Sequence, residues 1–227
     1  MRRLILIGLL CLTGACGRPL TEPERAYVAD LTGSEVDADK VRIMRGGILS
    51  VVQFRFPARP RVTCQERLFP PSEEKILTGS PAAAVLHNWI YFNRGNFLPD
   101  YVPEYPERFY LYDAMVFGHE TVHVWQWQNR DKTGFTPLRA VREHQLSDDP
   151  YLFDIDKEQS FSDFGYEQQG SVMEEFICCQ ALAPHSARTD RLRELLRPHF
   201  PVARLEKLAQ STVIPPFDSV DLGGICD

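Results

Sequence analysis

The order of apolar and polar positions divides the chain into a mixed first half and a mostly helical second half. Residues 41–56 are rich in β-branched residues around a Gly-Gly break, which predicts two short strands or a hairpin. Residues 82–92 form an apolar run that ends in aromatic residues and predicts one buried strand. The loop that follows, 93–108, is long and rich in proline and aromatic residues, and loops of that length in a compact domain are usually functional.

Helical spacing and capping residues predict the remaining elements. Thr21 and Glu24 form a capping-box pair that predicts the start of a first helix, and Gly33 predicts its end. A second helical pattern begins at Phe109 and continues through Trp125. Further helices are predicted over 136–146, over 160–183 with a start near Ser162 or Asp163, and over 186–200 and 201–211.

These elements predict an α+β fold. A small mixed or antiparallel sheet is expected to pack on the helix that begins near Phe109, and a mostly helical C-terminal half follows. The chain has 227 residues, a length at which one domain is the default. We therefore expect a single domain over residues 20–183, with a helical extension over 184–227 packed on it.

The first fifteen residues are typical of a secretory signal peptide. Two arginines precede a short apolar run, which small residues connect to Cys16. The run is too short to cross a bilayer as a stable helix. The segment before Cys16 resembles a bacterial lipobox, which predicts a lipidated Cys16 and a periplasmic protein anchored to a membrane of the cell envelope. Cleavage after Ala15 to give a freely soluble periplasmic protein is the alternative.

Charge and cysteine content narrow the classes of partner. The formal charge is −6 and no basic patch stands out, so nucleic acid is not an expected partner. Beyond the signal peptide and Cys16, four cysteines remain in a compartment that favours disulfides. These four, among which disulfides are expected, are Cys64, Cys178, Cys179 and Cys226. The two adjacent cysteines are expected to bond to other partners, but three pairings stay open.

The stretch "HETVH" carries the chemistry that the sequence singles out. On a helix, His119 and His123 lie four residues apart on one face, about 6 Å from each other, and can offer ring nitrogens to one zinc ion. Glu120 lies on the flank of that face, where it can take a proton from a zinc-bound water. The alternative is a helix that carries two ordinary histidines.

A zinc hydrolase needs a third protein ligand, and no third histidine follows His123 closely. Glu167, Glu174 and Glu175 on the later helix are the candidates. Glu167 is preferred because Gly170, one turn further on, would let two helices approach closely. Glu174 is a candidate to hold the N–H group of a ligand histidine. The remaining histidines are expected to be ordinary: His87, His144, His185 and His199.

Two features of a peptidase site stay open. A hydrogen-bond donor for the developing oxyanion is required, and four side chains qualify: Tyr101, Tyr151, Tyr166 and His185. The predicted strand near residues 85–92 is expected to offer a free edge with which an extended peptide can pair.

Four segments resemble a known family when they are taken together. They are "VRIMRGG", "NWIYF", "GHETVHVWQWQ" and "DFGYEQQGSVMEEF", in this order. They resemble the metallopeptidase domain found with extracellular contractile injection systems and the short bacterial proteins called Vgr-related. The resemblance covers about residues 20–182. It implies a gluzincin-like zincin fold in which His119, His123 and Glu167 bind Zn²⁺ and Glu120 is the base.

The sequence therefore predicts a zinc-dependent hydrolase. The expected reaction is hydrolysis of an amide bond in a peptide or protein substrate of the cell envelope, with Glu120 activating the attacking water. The alternative is a non-catalytic zincin-fold module that docks to an envelope or secretion apparatus.

Overall fold

A computed structural model describes residues 17–46 and 48–227. Its α-helices are α1 (Glu22–Thr32), α2 (Cys64–Arg67), α3 (Leu111–Gln128), α4 (Arg130–Thr133), α5 (Pro137–Leu146), α6 (Tyr166–Leu182) and α7 (Ala187–Leu196). Its strands are β1 (Arg42–Arg45), β2 (Phe54–Pro57), β3 (Ile76–Gly79), β4 (Ala83–Leu86), β5 (Trp89–Phe92), β6 (Arg108–Tyr110) and β7 (Thr212–Ile214). Short 3₁₀ helices cover Ala38–Lys40, Ile48–Ser50, Phe161–Asp163 and Val202–Gln210.

The strands form small sheets, so the fold is mixed α+β. One sheet has the order β1-β5-β4, with β1 parallel and β4 antiparallel to β5. Ile90 at its centre lies opposite Ile43 on one side and Val85 on the other. This sheet packs on α3 through β4 and β5. Strands β2 and β3 pair antiparallel, and β6 pairs with β7 in parallel.

One strand prediction was wrong, and another was confirmed in one of its two alternatives. The run 82–92 is not one strand but two, because the chain reverses at His87, whose φ is +60°. An apolar run alone does not reveal a turn when no glycine or proline marks it. Residues 41–56 do contain two strands, but these do not form a hairpin, since β1 pairs with β5 and β2 pairs with β3.

The core lies between α3 and α6. In α3, 14 of 18 residues are buried, so the helix is surrounded by protein on every side. It packs along α6, which is buried over most of its length. Gly118 marks the closest approach, because a Cβ there would lie 2.4 Å from Ile177 Cδ1. A larger side chain at Gly118 would therefore have to displace the end of the Ile177 side chain or push the two helices apart.

The helix predictions hold with changes at the ends. The capping box of Thr21 and Glu24 starts α1, as predicted. The long helix starts at Tyr166, because a 3₁₀ turn occupies Phe161–Asp163, where the start was expected. In the C-terminal part, α7 and the 3₁₀ helix Val202–Gln210 pack against α6. Strand β7, which the sequence did not predict, pairs with β6, the strand directly before α3.

Both adjacent cysteines form disulfides with distant partners. Cys64 pairs with Cys178, which ties α2 to the second half of α6. Cys179 pairs with Cys226, which ties the end of the chain to the same helix turn. The two disulfides thus attach the α2 segment and the last residues of the chain to α6.

The predicted signal peptide, residues 1–15, and the predicted lipidation site, Cys16, lie outside the described residues. No helix in the described part of the chain is both long and apolar enough to span a membrane.

Replacing Gly118 with valine is expected to lower the free energy of unfolding by about 1–3 kcal/mol, since it overpacks the contact with Ile177. Urea unfolding followed by circular dichroism measures this change. Gly95→Ala is the control, because the nearest atom to an added Cβ there is Asn93 Oδ1 at 3.5 Å, and we expect a change below about 0.5 kcal/mol. An unaltered unfolding midpoint in Gly118→Val would contradict the tight packing of α3 on α6.

Candidate metal centre

Three side chains converge between the facing surfaces of α3 and α6. His119 and His123 come from consecutive turns of α3, and Glu167 comes from the first turn of α6. His119 Nε2 lies 3.0 Å from His123 Nε2, and each of these nitrogens lies 3.1 Å from Glu167 Oε2. The side chains are buried and form a group that could hold a metal ion. This is the ligand set that the sequence put forward.

The separations suit a small tetrahedral ion. Ligand bonds of 2.0–2.1 Å in tetrahedral geometry place neighbouring donor atoms about 3.3–3.4 Å apart. The observed donor separations of 3.0–3.1 Å are a few tenths of an ångström shorter. Two imidazoles with one carboxylate are donors that zinc accepts, and this set leaves a fourth position for water or substrate. The three residues therefore fit zinc in number, type and spacing.

A chain of side-chain amides fixes the tautomer of His123. Its Nδ1 lies 2.9 Å from Gln126 Oε1, while Gln126 Nε2 donates to the Tyr166 carbonyl and to Gln169 Oε1, each at 2.9 Å. Gln169 Nε2 in turn donates to the Phe164 carbonyl at 3.0 Å. Because the amide N–H groups are used in this way, only an oxygen faces His123. Nδ1 must then carry the proton, which leaves the Nε2 lone pair free for a metal.

The ring of His119 is confined by α6, which packs against it at Gly170. Glu174 Oε1 lies 3.5 Å from Nδ1, at the outer limit of a hydrogen bond, and Nδ1 has no closer partner among the described residues. A Cβ on Gly170 would lie 2.6 Å from the ring of His119, so only glycine leaves room for the ring there. The interpretation of Gly170 as a point of close approach agrees with this geometry. Glu174 was predicted to hold the N–H group of a ligand histidine. It lies beside Nδ1 of His119 without a hydrogen bond to it, so this role stays a prediction.

Glu167 has a partner that the sequence analysis missed. Its Oε1 lies 2.7 Å from Nε2 of His144, a residue on α5 that was expected to be ordinary. That expectation was wrong. No motif marks His144, because it belongs to a short helix whose contact with α6 arises only from the tertiary fold. The only nearby sequence feature that goes with this contact is the preceding acidic residue, Glu143, which also contacts the start of α6.

Comparison with family models gives no match, and comparison with curated proteins gives none either. Among solved structures, the effector domain of Pseudomonas aeruginosa VgrG2b is similar to this chain. The two are 20% identical, with a TM-score of 0.49, and the match covers 83% of this chain and 88% of that one.

The centre carries more negative than positive charge. Glu120, Glu167 and Glu174 are buried beside two imidazoles. Burial alone would lower the pKa of His119, but the Glu174 and Glu167 carboxylates raise it well above its usual range. Burial likewise opposes the charge on His123, and Glu167 again raises its pKa. A site that favours added positive charge on both imidazoles also favours a divalent cation, which supplies that charge while the imidazoles stay neutral.

Glu120 differs from the other two carboxylates. It is buried, and its Oε2 has no hydrogen-bond partner in the part of the chain that is described. Burial raises the pKa of Glu120, although the neighbouring imidazoles oppose the shift. Buried polar atoms are nearly always paired, so an unpaired carboxylate oxygen at this place calls for a chemical explanation.

Glu175, the remaining candidate for third ligand, is engaged elsewhere. Its Oε1 accepts a hydrogen bond from Arg188 Nε at 2.5 Å, and its Oε2 accepts one from the backbone N–H of Cys64 at 2.7 Å. It therefore joins α6 to α7 and α2, and it does not face His119. The positions of the three glutamates around α6 therefore decide which of them can serve as the third ligand.

Of the four oxyanion-donor candidates, Tyr151 lies nearest to the centre. Its ring centroid is 6.0 Å from that of His119, and burial raises the pKa of its hydroxyl, which keeps the proton in place. The Tyr101 hydroxyl donates to Asn96 instead, and the Tyr166 hydroxyl lies near the Thr133 carbonyl. His185, the fourth candidate, is exposed.

Metal analysis of the purified protein should find about one zinc per chain, and this zinc should be lost in His123→Ala and in Glu167→Ala, since each variant removes one of three protein ligands. His185→Ala is the matched control, because His185 is exposed and should leave the zinc content unchanged. A folded Glu167→Ala variant that keeps its zinc with wild-type affinity would contradict the assignment of the third ligand.

Gln126→Leu is expected to weaken zinc binding about 10–100-fold, because it leaves Nδ1 of His123 without its acceptor. Competition with a chromogenic chelator measures the change. Gln128→Leu is the control, since Gln128 lies two residues away on the same helix and bonds instead to Asn88 and Asp37. Equal affinities in the two variants would show that the amide chain does not support the ligand.

Proposed function

We propose that this chain is a zinc-dependent peptidase of zincin type that hydrolyses an amide bond of a peptide or protein in the bacterial cell envelope. The observation that supports it best is the position of Glu120. An unpaired, buried carboxylate oxygen follows directly after the first of two imidazoles that converge with Glu167. A purely structural metal site has no need of such a group.

Each residue of the site would have its own role in the proposed hydrolysis. His119, His123 and Glu167 would hold the zinc, which would supply Lewis-acid polarisation of a carbonyl and of water. Glu120 would accept the proton of the attacking water at its free carboxylate oxygen and return that proton to the leaving amine nitrogen. Tyr151 would donate its hydroxyl hydrogen to the developing oxyanion.

Solvent and substrate need a route to this buried group. The side chain of His144 is 41% exposed and contacts Glu167, whose own side chain is 11% exposed. The opening therefore lies beside α5. In the described part of the chain β4 pairs with β5 on one side and with no strand on the other, and this open edge remains our candidate for binding an extended substrate.

The proposed location is the periplasmic side of the cell envelope, with a lipid anchor on Cys16. The support comes from the signal-like composition of residues 1–15 and from the two disulfides, which are typical of oxidising compartments. The adjacent Cys178 and Cys179 each bond to a different distant segment, an arrangement that a reducing cytoplasm would not maintain.

Glu120→Gln is expected to keep about one zinc per chain and to lose hydrolysis by about 100-fold or more, because the amide cannot accept the proton. The probe is a mixture of peptides from a digest of bacterial envelope proteins, and mass spectrometry follows new termini over time. Glu206→Gln serves as the control, since Glu206 is exposed.

Equal cleavage by Glu120→Gln and the wild type would contradict the role of Glu120. A zinc-loaded wild type that cleaves neither this mixture nor its own chain would overturn the peptidase proposal. The non-catalytic docking module would then be the better interpretation.

A further inference from the structure

Helix α5 is attached to the metal centre in an unusual way. The helix is described over its whole length, and none of its residues is buried. Leu138 and Leu146 are 82% and 74% exposed, so the helix is not held by an apolar face. Its described hydrogen bonds to α6 come from two neighbouring side chains, Glu143 and His144.

Glu143 caps the helix that carries the third ligand. Its two carboxylate oxygens accept the backbone N–H groups of Tyr166 and Glu167, at 2.9 Å and 3.1 Å. Position 165, before the helix, is a glycine, and a Cβ there would lie 2.7 Å from Glu143 Oε1. The N-terminal end of a helix favours negative charge, so this contact fixes the backbone of Glu167 itself.

His144 acts on the side chain of the same ligand. It donates to Glu167 Oε1 at 2.7 Å, while Oε2 faces the two imidazoles of α3. With one oxygen held in this way, the carboxylate could rotate toward solvent, or offer both oxygens to a metal, only by breaking the bond to His144. The backbone and the side chain of Glu167 are therefore both set by α5.

We propose that His144 is a positioning residue that presents Glu167 to the metal through Oε2 alone, and that zinc binding and the docking of α5 are coupled. The inference rests on the proposed zinc centre. Since partners of this kind typically change metal affinity 10–100-fold, loss of the contact should weaken zinc binding by that factor. Because α5 has little else to hold it on α6, zinc in turn should hold α5 in place.

The test compares zinc affinity in the wild type, His144→Ala, His144→Gln and Leu138→Ala by competition with a chromogenic chelator. We expect His144→Ala to bind about 10–100-fold more weakly. His144→Gln, whose Nε2–H group can reach the position of the imidazole N–H, should recover most of the affinity. Leu138→Ala, an exposed change on the same helix, should match the wild type. The visible spectrum of the Co²⁺-loaded protein should change in His144→Ala and return in His144→Gln.

Hydrogen exchange of the wild type, with and without zinc, provides a test that does not depend on how the variants fold. Zinc should slow amide exchange across residues 137–146. Wild-type affinity in His144→Ala, or exchange in α5 that zinc leaves unchanged, would overturn this inference while the zinc centre itself stands. A wild type that binds no zinc would overturn the proposed function and the inference together.

Discussion

The close contact of α3 with α6 is the constraint on which the rest of the structure depends. Two glycines permit it: Gly118, which leaves room for Ile177, and Gly170, which leaves room for the ring of His119. The second contact links helix packing to the candidate site, since the ring that fits over Gly170 belongs to one of the three proposed metal ligands. Small residues at a helix contact bring backbones together, and a short glutamate side chain from one helix can then reach two histidines on the other.

The close contact of α3 with α6 would be unstable if the polar groups buried in it had no partners. Burying carboxylates and imidazoles is unfavourable unless they are paired. Glu167 achieves this with three imidazoles, which hold the pKa of its carboxyl well below its usual range although burial acts in the opposite direction. Glu175 achieves it with Arg188 and a backbone N–H. Among the described residues, Oε2 of Glu120 and Nδ1 of His119 have no hydrogen-bond partner. Unpaired buried polar atoms are rare in proteins, and the proposed role of Glu120 would account for the one on its carboxylate.

The sequence was sufficient to predict whatever depends on local spacing. Two histidines four apart on a helix must share a face, and a glycine one turn after Glu167 singles out that glutamate. Contacts between residues that are far apart in the sequence could not be predicted from local spacing. His144 meets Glu167 because the 3₁₀ turn and loop before α6 bring α5 back across its first turn, and no repeat or motif encodes that path. The split of residues 82–92 into two strands depends on His87 adopting a positive φ. Histidine does this more often than most residues, but too rarely for its presence alone to predict a turn.

The centre is supported unequally on its two sides. On the side of α3, His123 is oriented by the buried chain from Gln126 to Gln169, which is closed by backbone carbonyls and leaves few degrees of freedom. On the side of α6, Glu167 is oriented by a surface helix without a buried residue. His123 thus lies against a buried network, whereas the side-chain contact of Glu167 continues through His144 to the surface. If the group binds a metal, as we propose, a shift of α5 would act on Glu167 before it acts on the buried network around His123.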